Sequence, residues 1–220
     1  QMCIRDSHNR LHRNYQDDIS LHYYLLASKD GITIGKRYFK HENNKEDYPF
    51  SPSGHNLYDN NSKLYYCRDF DNIVYQIHED SVVPRFRINL PNPLPASMIE
   101  ERPNEMSLLR SGYSLGITDI YEYGGLLFFR FVKDGYIWSC LYNVEESKQV
   151  YCAKRIKFLD SSLIDTIDGI YKDCFYSILT PEYLDYAFSE NPLEDYPDLF
   201  KTYDVEGDNP VIAFYRAVVR

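Results

Sequence analysis

Two arginines stand at matching places in this chain. Arg68 follows the aromatic run Leu64-Tyr65-Tyr66-Cys67, and Arg130 follows Leu126-Leu127-Phe128-Phe129. A guanidinium reads a planar anion through two parallel hydrogen bonds, so these positions suit a carboxylate, a sulfated sugar or a uronic acid. Arg68, Arg130 and Tyr66 are therefore the candidate ligand-binding residues. The competing reading is an arginine at a strand end that pairs with an acidic neighbour, and that is the commoner use of such a residue. Tyr65, Tyr66, Tyr75, Tyr113, Tyr136 and Trp138 offer flat rings for sugar stacking, but such rings more often pack between stacked sheets, where each sheet buries both faces. Arg85 and Arg87 alternate with Phe86, which puts both on one face of a strand, toward solvent.

Other candidate chemistry is thinner. His22, His55 and His78 are scattered and lack metal-ligand spacing. Asp59-Asn60-Asn61 lacks the glycine and distal glutamate of a calcium loop and reads as a turn. The pairs Glu100-Glu101 and Glu145-Glu146 are neighbours in sequence, whereas glycoside hydrolysis needs two carboxylates facing each other across the bond to be cut. There is no nucleophile elbow, phosphate loop or dinucleotide fingerprint. No catalytic residue, metal site or cofactor is expected. A site shared with residues outside this sequence would escape such a search.

Four cysteines bear on the fold: Cys67, Cys140, Cys152 and Cys174. None forms a Cys-x-x-Cys pair, which argues against zinc. If residues 136–142 and 149–156 form a hairpin turning near Glu145-Glu146, Cys140 and Cys152 lie opposite each other, and a cross-strand disulfide is open to them. Four separate buried thiols are the alternative.

Composition narrows the partners. The net charge is -9. An acidic chain without a Lys/Arg cluster argues against nucleic acid, whose binding depends on neutralising phosphates. No apolar run approaches the ~20 residues of a membrane helix. The chain has 22 Tyr and 12 Phe, residue types that favour half-buried pleated surfaces and so a β class.

The elements that would carry these residues repeat. Leu64 to Arg68, the turn Asp71-Asn72, then Ile73 to Ile77 form one unit; Leu126 to Arg130, Asp134-Gly135, then Tyr136 to Leu141 form another. A weaker copy runs from Leu21 through Asp30-Gly31 to Ile34. An antiparallel unit recurring every roughly 40–60 residues is the mark of a β-propeller. Further strands are expected at 82–90, 115–121 and 149–156, with Gly124-Gly125 as a hairpin turn. Pro91 to Tyr113 reads as an excursion with one or two helical turns around Glu105 to Leu109. After strands at 163–167 and 174–179, Thr180-Pro181 caps a helix carrying Leu184, Ala187 and Phe188. A second short helix is expected up to Tyr203, then a last strand over 211–218.

Residues 1–7 read as foreign. Back-translated, Gln1-Met2-Cys3-Ile4-Arg5-Asp6-Ser7 matches a transposase adapter used in preparing sequencing libraries, so they are expected to lie outside the fold. Deleting them removes Arg5 and Asp6 and leaves the charge balance unchanged. A leader upstream would not be visible, and the lack of one gives no evidence of location.

Two stretches carry a resemblance. Asp71-Asn72-Ile73-Val74-Tyr75-Gln76-Ile77, then Val82-Val83-Pro84-Arg85-Phe86, Ile88-Asn89-Leu90 and Leu94-Pro95, form one phrase. Asp208-Asn209-Pro210-Val211-Ile212-Ala213-Phe214-Tyr215-Arg216 is a closing phrase. Both are similar to phrases in the six-bladed β-propeller proteins of unassigned function found in gut Bacteroidota. Phe86 and Asn89 stand where that family usually has Tyr and Asp. The resemblance covers about 20–220.

It implies an all-β fold: the C-terminal portion of a six-bladed propeller over 8–220. About three to four blades of four-stranded antiparallel sheets are expected, with short helical insertions. The blades would span about 15–41, 54–90, 115–156 and 163–218. Members often carry lipoprotein-type signals, so the resemblance implies a periplasmic, outer-membrane or cell-surface location. The function it favours is a non-enzymatic binding or scaffold module for a protein or glycan. The alternative is a propeller-type glycan lyase or hydrolase whose channel-mouth site is completed by the missing blades.

Overall fold

The computed structural model describes residues 3–6, 23–28, 34–40, 56–101, 103–154, 156–158, 161–164, 167–190, 200, 202–204, 206–207 and 209–216. The chain divides into two compact units, Gln1–Leu57 with Lys63–Thr118, and Tyr58–Ser62 with Asp119–Arg220. Each is described by itself.

The first unit begins with strands β1 (Cys3–Asp6), β2 (Tyr23–Ser28) and β3 (Ile34–Lys40), which form one antiparallel sheet in that order. The sequence reading left residues 1–7 out of the fold, yet Cys3–Asp6 pairs with β2 from Cys3↔Ser28 to Asp6↔Leu25. The edge of β2 offers a row of free backbone groups, which any extended segment can satisfy.

Strands β4 (Leu57–Asn60), β5 (Lys63–Cys67), β6 (Ile73–Ile77) and β7 (Val82–Arg87) make a four-stranded sheet in sequence order. Tyr65 and Tyr66 are adjacent and both fully buried. Successive strand residues point to opposite faces, so this sheet is covered on both sides. On one side Tyr66 and Ile77 join Leu25 in a core, with Tyr38, Phe39, Leu64 and Tyr75 packed around it. On the other, the edge of Tyr65 meets the Phe86 ring at 6.0 Å. Pro84 sits in β7, at the sheet edge where its missing N–H costs no ladder bond.

Pro91 to Tyr113 holds two short helices, α1 (Ala96–Glu100) and α2 (Glu105–Leu109). The Asn104 side chain accepts the Ser107 N–H at 2.9 Å and so caps α2. The excursion is fastened at its end, where Ser114 donates its backbone N–H to the Asn92 carbonyl (2.8 Å) and its hydroxyl to the Pro91 carbonyl.

Strands β8 (Ser114–Tyr123), β9 (Leu126–Lys133), β10 (Tyr136–Asn143) and β11 (Lys148–Ala153) are again a four-stranded sheet in sequence order, which belongs to the second unit from Asp119 onward. Asp134 and Gly135 both have positive φ, 54° and 73°, as the two-residue hairpin turn requires. Strands β12 (Ile156–Phe158) and β13 (Ser161–Ile164) pair with each other. Strands β14 (Gly169–Tyr171), β15 (Cys174–Leu179) and β16 (Val211–Tyr215) form the last sheet. Helix α3 (Pro181–Glu190) interrupts it between β15 and β16, and Thr180 Oγ1 accepts the Tyr183 N–H at 3.3 Å. Leu184, Ala187 and Phe200 pack against Leu179, Val211 and Ala213. The second helix expected before Tyr203 and the end of the last strand fall outside the described residues. No helix among the described residues is long and apolar enough to cross a membrane.

Candidate functional site

Arg68 leaves the end of β5 and turns back onto Asp71. Its Nε and Nη2 donate to Asp71 Oδ2 at 3.0 and 2.6 Å. The other carboxylate oxygen accepts the N–H groups of Asn72 and Ile73 at 2.7 and 3.1 Å. Asp71 is thus an Asx turn and a counter-ion at once. The guanidinium also lies over the rings of Phe39 and Tyr75, 5.3 and 5.9 Å from their centres. Burial works against its charge, but the Asp71 hydrogen bond and charge outweigh it and raise the Arg68 pKa. Burial likewise raises the phenol of Tyr75.

Arg130 sits in mid-strand in β9, and its Nε donates to Asp119 Oδ2 at 2.7 Å. The Asp119 side chain is 7% exposed and that of Arg130 20%, so this pair is more enclosed than Arg68–Asp71. Burial opposes the guanidinium charge, and the Asp119 bond and charge overcome it. Beside it the Tyr121 hydroxyl donates to the Asp168 carbonyl at 3.0 Å. Its phenol is pushed far above the ordinary range, by burial first and then by the charges of Asp119 and Asp168.

Each arginine is therefore claimed by a carboxylate of its own unit. The third sequence candidate, Tyr66, is fully enclosed and stacked on Phe39 at 5.4 Å between ring centres. It offers no face to a ligand, because both faces of its sheet are covered. Tyr65 is buried in the same way. Of the six aromatic candidates Tyr136 alone is exposed, and Lys154 Nζ sits 3.5 Å above its ring. Trp138 is half-buried, stacked on Phe131 at 6.2 Å.

Cys140 and Cys152 are register partners on β10 and β11, joined as a disulfide with Cα atoms 4.1 Å apart. Cys67, buried, and Cys174, half-buried, are not in a disulfide. Among the described residues no group of three or more His, Cys, Asp or Glu side chains could hold a metal ion. His78 lies exposed; His22 and His55 fall outside the described residues.

Sequence reasoning missed Asn60. It is buried, donates to the Ile120 carbonyl at 3.2 Å and accepts the Glu122 N–H at 2.6 Å. Next to it Asn61, at φ 53°, donates to the Lys172 carbonyl at 3.0 Å. The expected turn is present, and it is also a clamp within the second unit. Glu145 and Glu146 both donate backbone N–H groups to Asn143 Oδ1 at 3.1 Å, which makes them turn residues.

These sheets have a known counterpart. The model of a 6-bladed beta-propeller family, DUF5128, matches residues 6–162. The chain belongs to this propeller family. A solved structure is also similar, that of a protein from Bacteroides fragilis described as exported, with a TM-score of 0.67 at 16% identity. The likeness covers 92% of this chain and 60% of that one, so the chain spans less than two thirds of its length. No curated protein matches. The fold is thus all-β, a partial six-bladed propeller of four-stranded antiparallel sheets with few helices. The closing phrase Asp208 to Arg216 lies beyond the part matched by the family.

Proposed function

We propose that this chain is part of a non-enzymatic binding or scaffold propeller of a bacterial cell envelope, with a protein or glycan as its ligand. The observation that carries the reading is the pairing of its best candidate groups. Arg68 and Arg130 are each held by an aspartate, at 2.6 and 2.7 Å, and Tyr66 is enclosed. Groups so engaged rigidify sheets; they are not poised for proton transfer, which wants a group with a reachable partner and a pKa near the working pH.

Export is supported on two sides. The similar Bacteroides fragilis structure is of a protein described as exported. The Cys140–Cys152 disulfide suits an oxidising compartment, since such bonds are rare where thiols are kept reduced.

The test uses the native polypeptide together with whatever coding sequence adjoins it. A glycan array and a panel of envelope proteins report binding; acidic and neutral polysaccharides report chemistry, through unsaturated products or new reducing ends. Saturable binding without turnover is the expected result. Catalytic product formation lost on substitution of a channel residue would overturn it in favour of a lyase or hydrolase.

A further inference from the structure

Tyr136 and Trp138 lie two residues apart on β10, so their rings share one face of the strand. Tyr136 is 54% exposed. Trp138 is half-buried and is held by its register partner on β9, the buried Phe131, whose ring lies within 13° of parallel to it. One step beyond the pair Ser139↔Ala153, the register brings Lys154 beside Trp138. Its Nζ stands 3.5 Å from the centre of the Tyr136 ring and 5.8 Å from that of Trp138. Ile137, the exposed apolar residue between the two aromatics, points to the opposite face.

The charges nearby leave the Lys154 ammonium uncompensated. Lys133, register partner of Tyr136, pairs with Asp134 at 2.8 Å, so that cation and that anion cancel. Among the described residues Lys154 has no carboxylate partner; it meets the two rings. It is exposed, and an exposed cation–π contact is weak beside a charge-assisted hydrogen bond to an anion. The ammonium is therefore free to leave the ring for a carboxylate or a sulfate. The ring it uncovers is flat and half in water, a surface on which the apolar C–H face of a sugar can stack.

We infer that Tyr136, Trp138 and Lys154 form a subsite for an acidic sugar, a uronic or sulfated residue of a glycan. Tyr136 takes the face of the sugar ring, Lys154 takes its anion, and Trp138, fixed by Phe131, borders the place. The inference rests on the binding reading proposed above and names its ligand class. A neutral sugar would stack on Tyr136 and leave the unpaired ammonium unused. The net charge of -9 repels polyanions at a distance, but at about 0.15 M salt charges more than about 8 Å away are largely screened, so Lys154 decides at contact.

Trp138 is the only tryptophan of the chain, so its emission reports on this place. The test titrates the chain with polygalacturonate, with chondroitin sulfate and, as the neutral control, with dextran. The expected result is a saturable change of emission with both acidic polymers and none with dextran. Tyr136→Ala and Lys154→Gln each weaken that binding at least about tenfold, through loss of a stacked ring or of a charge-assisted hydrogen bond, while Lys154→Arg retains it. Both side chains are exposed, so neither variant removes a core residue. Unchanged emission with both acidic polymers, an equal response to dextran, or full affinity in Tyr136→Ala or Lys154→Gln would overturn the inference. Binding of another glycan or of a protein with Trp138 unmoved would overturn it and leave the binding reading standing. Cleavage of the polymer with the emission response intact would support the subsite and overturn the binding reading instead.

Discussion

Cys140 and Cys152 face each other in direct register across β10 and β11, and their sulfurs are bonded. Strand pairing alone brings the two Cα atoms to 4.1 Å, near the ~4.5 Å of a non-hydrogen-bonded antiparallel pair, where side chains stand closest. The bond closes a short loop, and the chain-entropy account gives about 2–3 kcal/mol for a loop of this size. Protein from an oxidising compartment should yield a disulfide-linked peptide joining these residues. Cys152→Ser should lower the unfolding free energy by about that amount in denaturant melts. Quantitative alkylation of both thiols without prior reduction would refute the pairing in solution.

The Asp119–Arg130 pair should matter far more than its surface counterpart Lys36–Asp80. Both have 2.7 Å contacts, but Asp80 is 84% exposed and Asp119 7%. Asp119→Ala leaves a mostly buried guanidinium without its counter-ion, a change that costs about 3 kcal/mol or more. Its effect should persist in high salt, where exposed pairs are screened. Asp80→Ala should move the unfolding midpoint little, and less still as salt rises. Equal effects of the two substitutions would contradict this account.

What the sequence revealed and what it concealed follow from the range of each interaction. The turn at Asp134-Gly135 was legible because two neighbours of that type accept positive φ. The adjacent aromatics Tyr65-Tyr66 pointed to packing between sheets, and both are buried. Arg68 with Asp71 is a local pair, 3 residues apart, and an acidic partner was anticipated. Asn60 was not legible: its partner Ile120 is 60 residues away, and nothing in Asp-Asn-Asn distinguishes a clamp from a turn. Strand β14 escaped notice because a three-residue strand has too few positions to show a period. Tyr66 was open to two readings, ligand contact or core packing, since a tyrosine next to an arginine looks the same on a surface as in a core; here it is buried.

Gly116 should tolerate no side chain. It has φ +93°, and a Cβ there would stand 2.8 Å from the backbone of Phe70. Backbone atoms cannot swing aside as a side chain can. The neighbouring Ile117 N–H donates to the Asp71 carbonyl at 3.3 Å, so a shift of β8 would also pull on the turn that holds Arg68. Gly116→Ala should cost about 2–3 kcal/mol from strain and overlap together. Gly124 provides the control: it has φ +58° but nothing within 4 Å of a Cβ. Gly124→Ala should carry the strain alone, about 1 kcal/mol. Similar losses at both sites would show that the Phe70 contact is not the cause.

Tyr121 predicts the alkaline limit of the fold. Burial, then the charges of Asp119 and Asp168, hold its phenol well above the ordinary value of 10.0. Below pH 10 both folded and unfolded chains keep the proton, so the stabilising contribution of the neutral phenol is fully present. Above it the unfolded chain ionises while the folded one does not, and stability falls with rising pH. Tyr75 and Tyr215, also raised chiefly by burial, act with the same sign. The melting temperature should therefore decline steeply above about pH 10. Tyr121→Phe keeps the ring against Phe128 and removes the ionising group. At neutral pH it should lose about 1 kcal/mol with the hydrogen bond to the Asp168 carbonyl. Above pH 10 its melting curve should decline less steeply than that of the native chain. Parallel declines across that range would show that Tyr121 ionises in the folded and unfolded states alike.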